Sequence, residues 1–109
     1  MKACVSPPWW LVIVAGAWAG AALAEPADVQ ALRVKSLAAT CAQCHGTAGQ
    51  PLADADVPGL VGLQASYIVE QMKAFRSGTR TATVMQQLAK GFSDAQVEQI
   101  AAYFAAQPR

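Results

Sequence analysis

A surplus of charge is the first thing this sequence lacks. Its 109 residues carry 8 Lys and Arg against 7 Asp and Glu, a formal net charge of +1. The basic residues form no run or patch, which speaks against a nucleic-acid binder and against a polybasic membrane segment. Cysteine is scarce, at three residues, and histidine occurs once. Cys41 and Cys44 are too close in sequence to close a useful disulfide loop, so no disulfide framework is available. A structural zinc site wants four ligands, and after residues 1–24 the sequence offers only Cys41, Cys44 and His45. No segment alternates with period two, so strands are not expected, and there is no internal repeat or low-complexity tract.

What the chain has in excess is apolar surface, at 54% of residues. Most of that excess lies at the start. Lys2 is followed by an apolar run from Trp9 to Leu23 and by Ala22-Leu23-Ala24. Those are the n-region, h-region and cleavage site of a secretory signal peptide, read here as residues 1–24 and removed after Ala24. The competing reading, a retained anchor helix, meets a run shorter than the ~20 residues needed to cross a bilayer. Cys4 precedes the run and does not stand where a lipid-modified first residue would. Residues 25–109 are then an exported, periplasmic domain without a membrane span, with balanced charges and two cysteines.

A domain of that size has a thin core and calls for a staple or a cofactor to supply apolar mass. Residues 28–41 contain no Gly or Pro and place Val34, Leu37, Ala38 and Cys41 on one helical face. Gly46 to Gly62 is rich in Gly and Pro and reads as an ordered loop. A second helix is predicted over 66–77, with Ile68, Met72 and Phe75 inward and Glu70, Lys73 and Arg76 opposite, Glu70 and Lys73 being spaced to pair. Thr79 to Thr83 is expected to be extended, with a short helix over 84–90 ended by Gly91. Ser93-Asp94-Ala95-Gln96 fits a capping box that opens a last helix with the stripe Val97, Ile100, Ala101, Phe104. The predicted fold class is all-α, three main helices around a long loop.

Cys41-Ala42-Gln43-Cys44-His45 is a Cys-x-x-Cys-His motif, the attachment signature of c-type haem. Two thiols one helical turn apart can add to the two vinyl groups of one porphyrin. The adjacent His45 is then held beneath the ring, where its imidazole can bind iron. A thioredoxin-like redox pair would instead open a helix after a strand, and no strand is predicted here. One covalent haem c is the cofactor this reading requires. For the second axial position a thioether suits haem iron and raises its potential. Met85, 40 residues after His45, has chain enough to reach the other haem face. Met72 sits on an apolar helix face, where methionine ordinarily fills the core. Pro58 could present its C=O to the second ring nitrogen of His45, as metal-bound histidines commonly require, or be an ordinary turn proline.

Together, Cys41-Ala42-Gln43-Cys44-His45-Gly46, Pro58-Gly59-Leu60-Val61-Gly62, Tyr67-Ile68, Phe75-Arg76-Ser77-Gly78 and Val84-Met85 resemble the bacterial class I cytochromes c, most closely one domain of the dihaem type. The resemblance spans Leu37 to Ala106. It implies the cytochrome c fold around one haem, Pro58 as the acceptor from the ligand histidine, and Met85 as the distal ligand. It also places Arg80 near a haem propionate, the alternative being a solvated surface arginine. Ala89-Lys90-Gly91-Phe92-Ser93 is similar to the cytochrome subunit of flavocytochrome c sulfide dehydrogenase, although Gln86-Gln87 stands where that family has a small and a basic residue. In that complex the haem subunit takes electrons from a flavoprotein.

The function expected is therefore single-electron transfer through Fe(III)/Fe(II), not bond-making catalysis. Its redox partner would be a flavoprotein dehydrogenase to which the chain belongs as a subunit. The alternative is a free shuttle to a respiratory oxidase or reductase. A ligand-binding or peroxidase-like haem protein needs an open sixth position, against which Met85 argues.

Overall fold

The computed structural model describes residues 25–109; the proposed signal peptide lies outside them. Four α-helices order the chain: α1 (Ala27–His45), α2 (Ala65–Ser77), α3 (Met85–Leu88) and α4 (Asp94–Ala105), with single 3-10 turns at Thr47–Gly49 and Ala89–Gly91. There is no strand among the described residues.

Helix α1 runs one turn further than its apolar stripe suggests. Ala42 and Gln43 are good helix formers, and the first residue able to stop the helix is Gly46. Gly46 has φ 83° and ψ 161°, a region open essentially to glycine alone, and its N–H donates to Ala42 O at 3.0 Å. A Cβ there would stand 1.6 Å from the Gln50 carbonyl oxygen. The whole Cys-x-x-Cys-His motif consequently lies in the last turns of one helix. Helix α4 opens as its sequence predicts. The Ser93 hydroxyl accepts from the Gln96 N–H, and the Gln96 side chain accepts from the Ser93 N–H.

Helix α4 packs against both α1 and α2. The core consists of Ala38 from α1, Ile68 and Met72 from α2, Ala89, and the α4 stripe Val97, Ile100, Ala101 and Phe104. Phe104 is 1% exposed, and burying such a ring is worth about 2–3 kcal/mol. The alanines let the helices approach closely around it. The Gly46–Gly62 loop is fastened to the same residue: the Gly62 N–H donates to Phe104 O, and Gly49 lies where a Cβ would come 2.8 Å from the Phe104 ring. The Gly49 carbonyl in turn accepts from the Leu60 and Val61 N–H groups.

Two expectations change. Glu70 and Lys73 do not pair; among the described residues the ion pairs are Arg33–Glu25 and Arg76–Asp94. Arg76 is not a plain surface residue either. It donates to Ala89 O at 3.3 Å, to Phe92 O at 2.8 Å and to the Asp94 carboxylate at 2.5 Å, clamping the chain after α3 onto α2. No helix among the described residues is long and apolar enough to cross a membrane.

Candidate functional site

A cavity of about 650 Å³ opens between the end of α1, the 56–60 part of the loop, α2 and the segment leading into α3. Such a volume is in the range that holds a large organic ligand. Cys41, Cys44, His45, Pro58, Arg80 and Met85 all line it, together with apolar residues such as Leu63, Ile68, Phe75 and Leu88. The six candidate haem-site residues of the sequence thus share one cavity lining.

Helix geometry arranges the first wall. Cys41 and Cys44 are three residues apart on α1, one above the other on the same face. Both thiols are free. Burial pushes the Cys41 thiol up, partly offset by the neighbouring Thr40 hydroxyl. A dithiol redox pair works through a lowered thiol pKa, so Cys41 is shifted the wrong way for that chemistry. His45 closes the helix, and its Nδ1–H donates to Pro58 O at 2.6 Å. A carbonyl can only accept, which fixes the proton on Nδ1 and leaves the lone pair on Nε2 for a metal. Among the described residues no three His, Cys, Asp or Glu side chains gather to hold a bare metal ion.

The second wall comes from α2 and the 79–85 segment. Met85 is half-buried at the first position of α3. Met72 is buried in the core, as its helix face predicts, although it also reaches the cavity lining. Arg80 stands exposed at the rim, with its guanidinium 4.6 Å from the centre of the Phe75 ring. It also donates to the Gln71 side-chain oxygen. Gln71 was not legible as a site residue, because its one signal, a polar residue just before Met72, reads as an ordinary surface position. Phe75 was legible only as part of an apolar face.

Among the described residues, an all-α shell around a large apolar cavity, with two stacked thiols and a tautomer-fixed imidazole on its wall, is the arrangement required of proteins that carry a covalently attached porphyrin. Comparison with known proteins agrees. The cytochrome c family model matches residues 31–107. The chain is 44% identical over 71 residues to cytochrome c-554(548) of Halomonas halodenitrificans, covering 62% of this chain and 84% of that protein. It is 37% identical over 83 residues to the cytochrome subunit of sulfide dehydrogenase of Chlorobaculum tepidum, covering 74% of each. A solved structure of cytochrome c4 from Acidithiobacillus ferrooxidans aligns with a TM-score of 0.57 at 39% identity, over 61% of this chain and 37% of that one.

The chain belongs to the cytochrome c family. It is a class I c-type cytochrome that binds haem c covalently and carries electrons. The residues present fit that group. The cavity is large and mostly apolar, the thiols share a helix face, and the His45 ring has one nitrogen committed to protein and one left to coordinate.

Proposed function

We propose that this chain is a periplasmic monohaem electron carrier in which Cys41 and Cys44 form the thioether links and His45 and Met85 are the axial ligands. The observation that carries the reading is the His45–Pro58 hydrogen bond beside a cavity whose lining also includes Met85. Bound haem supplies one-electron Fe(III)/Fe(II) chemistry. The chain's own residues hold its surroundings constant. Pro58 O keeps the proton on His45 Nδ1 and stops the ring from turning. Leu63, Ile68, Met72 and Ile100 present apolar surface that keeps water away, and Met85, on the same lining, would offer the iron a soft sulfur donor. Residues 1–24 are proposed to direct export and to be removed, a reading that rests on sequence alone.

The axial assignment is tested by the weak far-red absorption band of a methionine–ferric haem bond. Met85→Ala should abolish it, while Met72→Ala should keep it and lose about 2–5 kcal/mol of stability as a core truncation. A band that survives Met85→Ala sinks the assignment.

For the partner we propose a flavoprotein dehydrogenase, with this chain as its haem subunit. Support comes from the Ala89-Lys90-Gly91-Phe92-Ser93 segment and from the match over most of the Chlorobaculum tepidum subunit. Purification from the native host should then yield a flavin-containing chain alongside this one. A stable monomer that reduces several oxidases or reductases equally well would favour the free-shuttle reading instead.

A further inference from the structure

The rim of the cavity contains an arrangement that axial ligation does not use. Arg80 is tied to α2 three times. Its backbone N–H donates to Ala74 O at 3.1 Å, its guanidinium donates to the Gln71 side-chain oxygen, and the same group lies over the Phe75 ring. Gln71 and Phe75 are four residues apart on α2, on one helical face, and both line the cavity.

The charge bookkeeping is unusual. Arg80 is the one Lys or Arg among the described residues that line the cavity. Its neighbours are a neutral amide and an aromatic face, and no carboxylate pairs with it among the described residues. Asp56, the acidic residue on the lining, is not paired with it either. An Asp or Glu in place of Gln71 would hold the guanidinium equally well and cancel its charge. A neutral amide and a ring hold it while leaving its charge and its remaining N–H donors unspent. Fixing so long a side chain costs rotamer entropy. An exposed arginine held this way is preorganised for an anion with planar, two-oxygen geometry.

We propose that Gln71 and Phe75 are positioning residues that hold Arg80 at the cavity rim as the counter-ion of a haem carboxylate, and that they set the reduction potential through it. The inference rests on the haem-site reading above and goes beyond it in naming how the charge is placed. Its sign follows from Coulomb's law. The ferric state carries one more positive charge than the ferrous state, so a nearby carboxylate favours the ferric state, and a fixed guanidinium that cancels its charge favours the ferrous state and raises the potential. Releasing Arg80 to solvent lets water and salt screen it, and the potential falls.

The test is a double-mutant cycle on the haem-loaded protein, read as midpoint potential. The variants are Gln71→Ala, Arg80→Gln and their combination, with Phe75→Leu as a second probe of the same cradle. Arg80→Gln should shift the oxidised-to-reduced ratio several-fold toward oxidised, up to about tenfold, which is ~59 mV for a one-electron couple. Gln71→Ala and Phe75→Leu should each produce part of that shift with the far-red methionine band intact. In the Arg80→Gln background, Gln71→Ala should change nothing further. An equal fall in both backgrounds, or no fall in either, overturns the positioning role. An unchanged potential in Arg80→Gln overturns it as well, yet leaves the axial ligands standing, because the far-red band reports those independently.

Discussion

Arg76 is the residue whose removal tests the architecture of the distal wall. Three donors of one guanidinium reach Ala89 O, Phe92 O and the Asp94 carboxylate, joining α2 to everything between α3 and α4. Arg76→Met keeps the apolar stem and removes the donors. The two carbonyls are partly buried, and each lost bond is worth roughly 1 kcal/mol, so the variant should lose about 2 kcal/mol. The exposed ion pair to Asp94 adds little to that sum. In a domain of this size about 2 kcal/mol lowers the melting temperature by roughly 8–16 °C. Thermal unfolding of the haem-loaded protein, followed by circular dichroism, measures it. Arg76→Lys should recover little, since an ammonium cannot span three acceptors in one plane. Melting of Arg76→Met within about 2 °C of the parent would refute the clamp.

The Arg76 hydrogen bond, aided by its charge, holds the Asp94 carboxyl below the usual carboxylate range. A depressed folded-state pKa means stability that is present above the unfolded value, about 3.9, and is lost as pH falls through the folded one. Unfolding midpoints measured from pH 7 down to pH 2 should therefore fall less steeply for Asp94→Asn than for the parent; identical slopes would contradict the pairing. Gly46→Ala puts a Cβ against the Gln50 carbonyl at a φ of 83° and should lose at least the ~1–3 kcal/mol of that backbone strain. Gly91→Ala, with nothing within 4 Å, is the control and should be nearly neutral in the same melting assay.

Much of the fold was legible in the sequence because local rules and the global structure agree. The α4 stripe Val97, Ile100, Ala101 and Phe104 is buried without exception, and the Ser93–Gln96 capping box forms as read. The motif at Cys41 to His45 places itself, since three residues on one helix end need no long-range information. The Pro58 contact was readable only as one of two options, because Pro58 stands 13 positions after His45 at the end of a segment that follows no regular geometry. Arg76 was misread for a related reason. Helical periodicity assigns it to the polar face, and its acceptors are carbonyls 13 and 16 residues downstream in a segment with no regular repeat. Backbone acceptors leave no trace in side-chain patterns. Gln71 was invisible on the same grounds: its meaning depends on Arg80, and that residue's position depends on the turn after Gly78.

The two walls of the cavity carry separate fastenings. The wall holding the thiols and the histidine is secured through Gly49 and Gly62 to Phe104, with Arg109 adding a bond to Gly62 O at 2.7 Å. The wall holding Met85 is secured through Arg76 and through Ala74 O to α2. The residues proposed for attachment and those proposed for tuning thus lie in different stretches of chain, borne by helices that both pack on α4. On the proposed assignments, substitutions in the strap from Thr79 to Val84 would shift the affinity for electrons while leaving untouched the helix turn that carries both thiols.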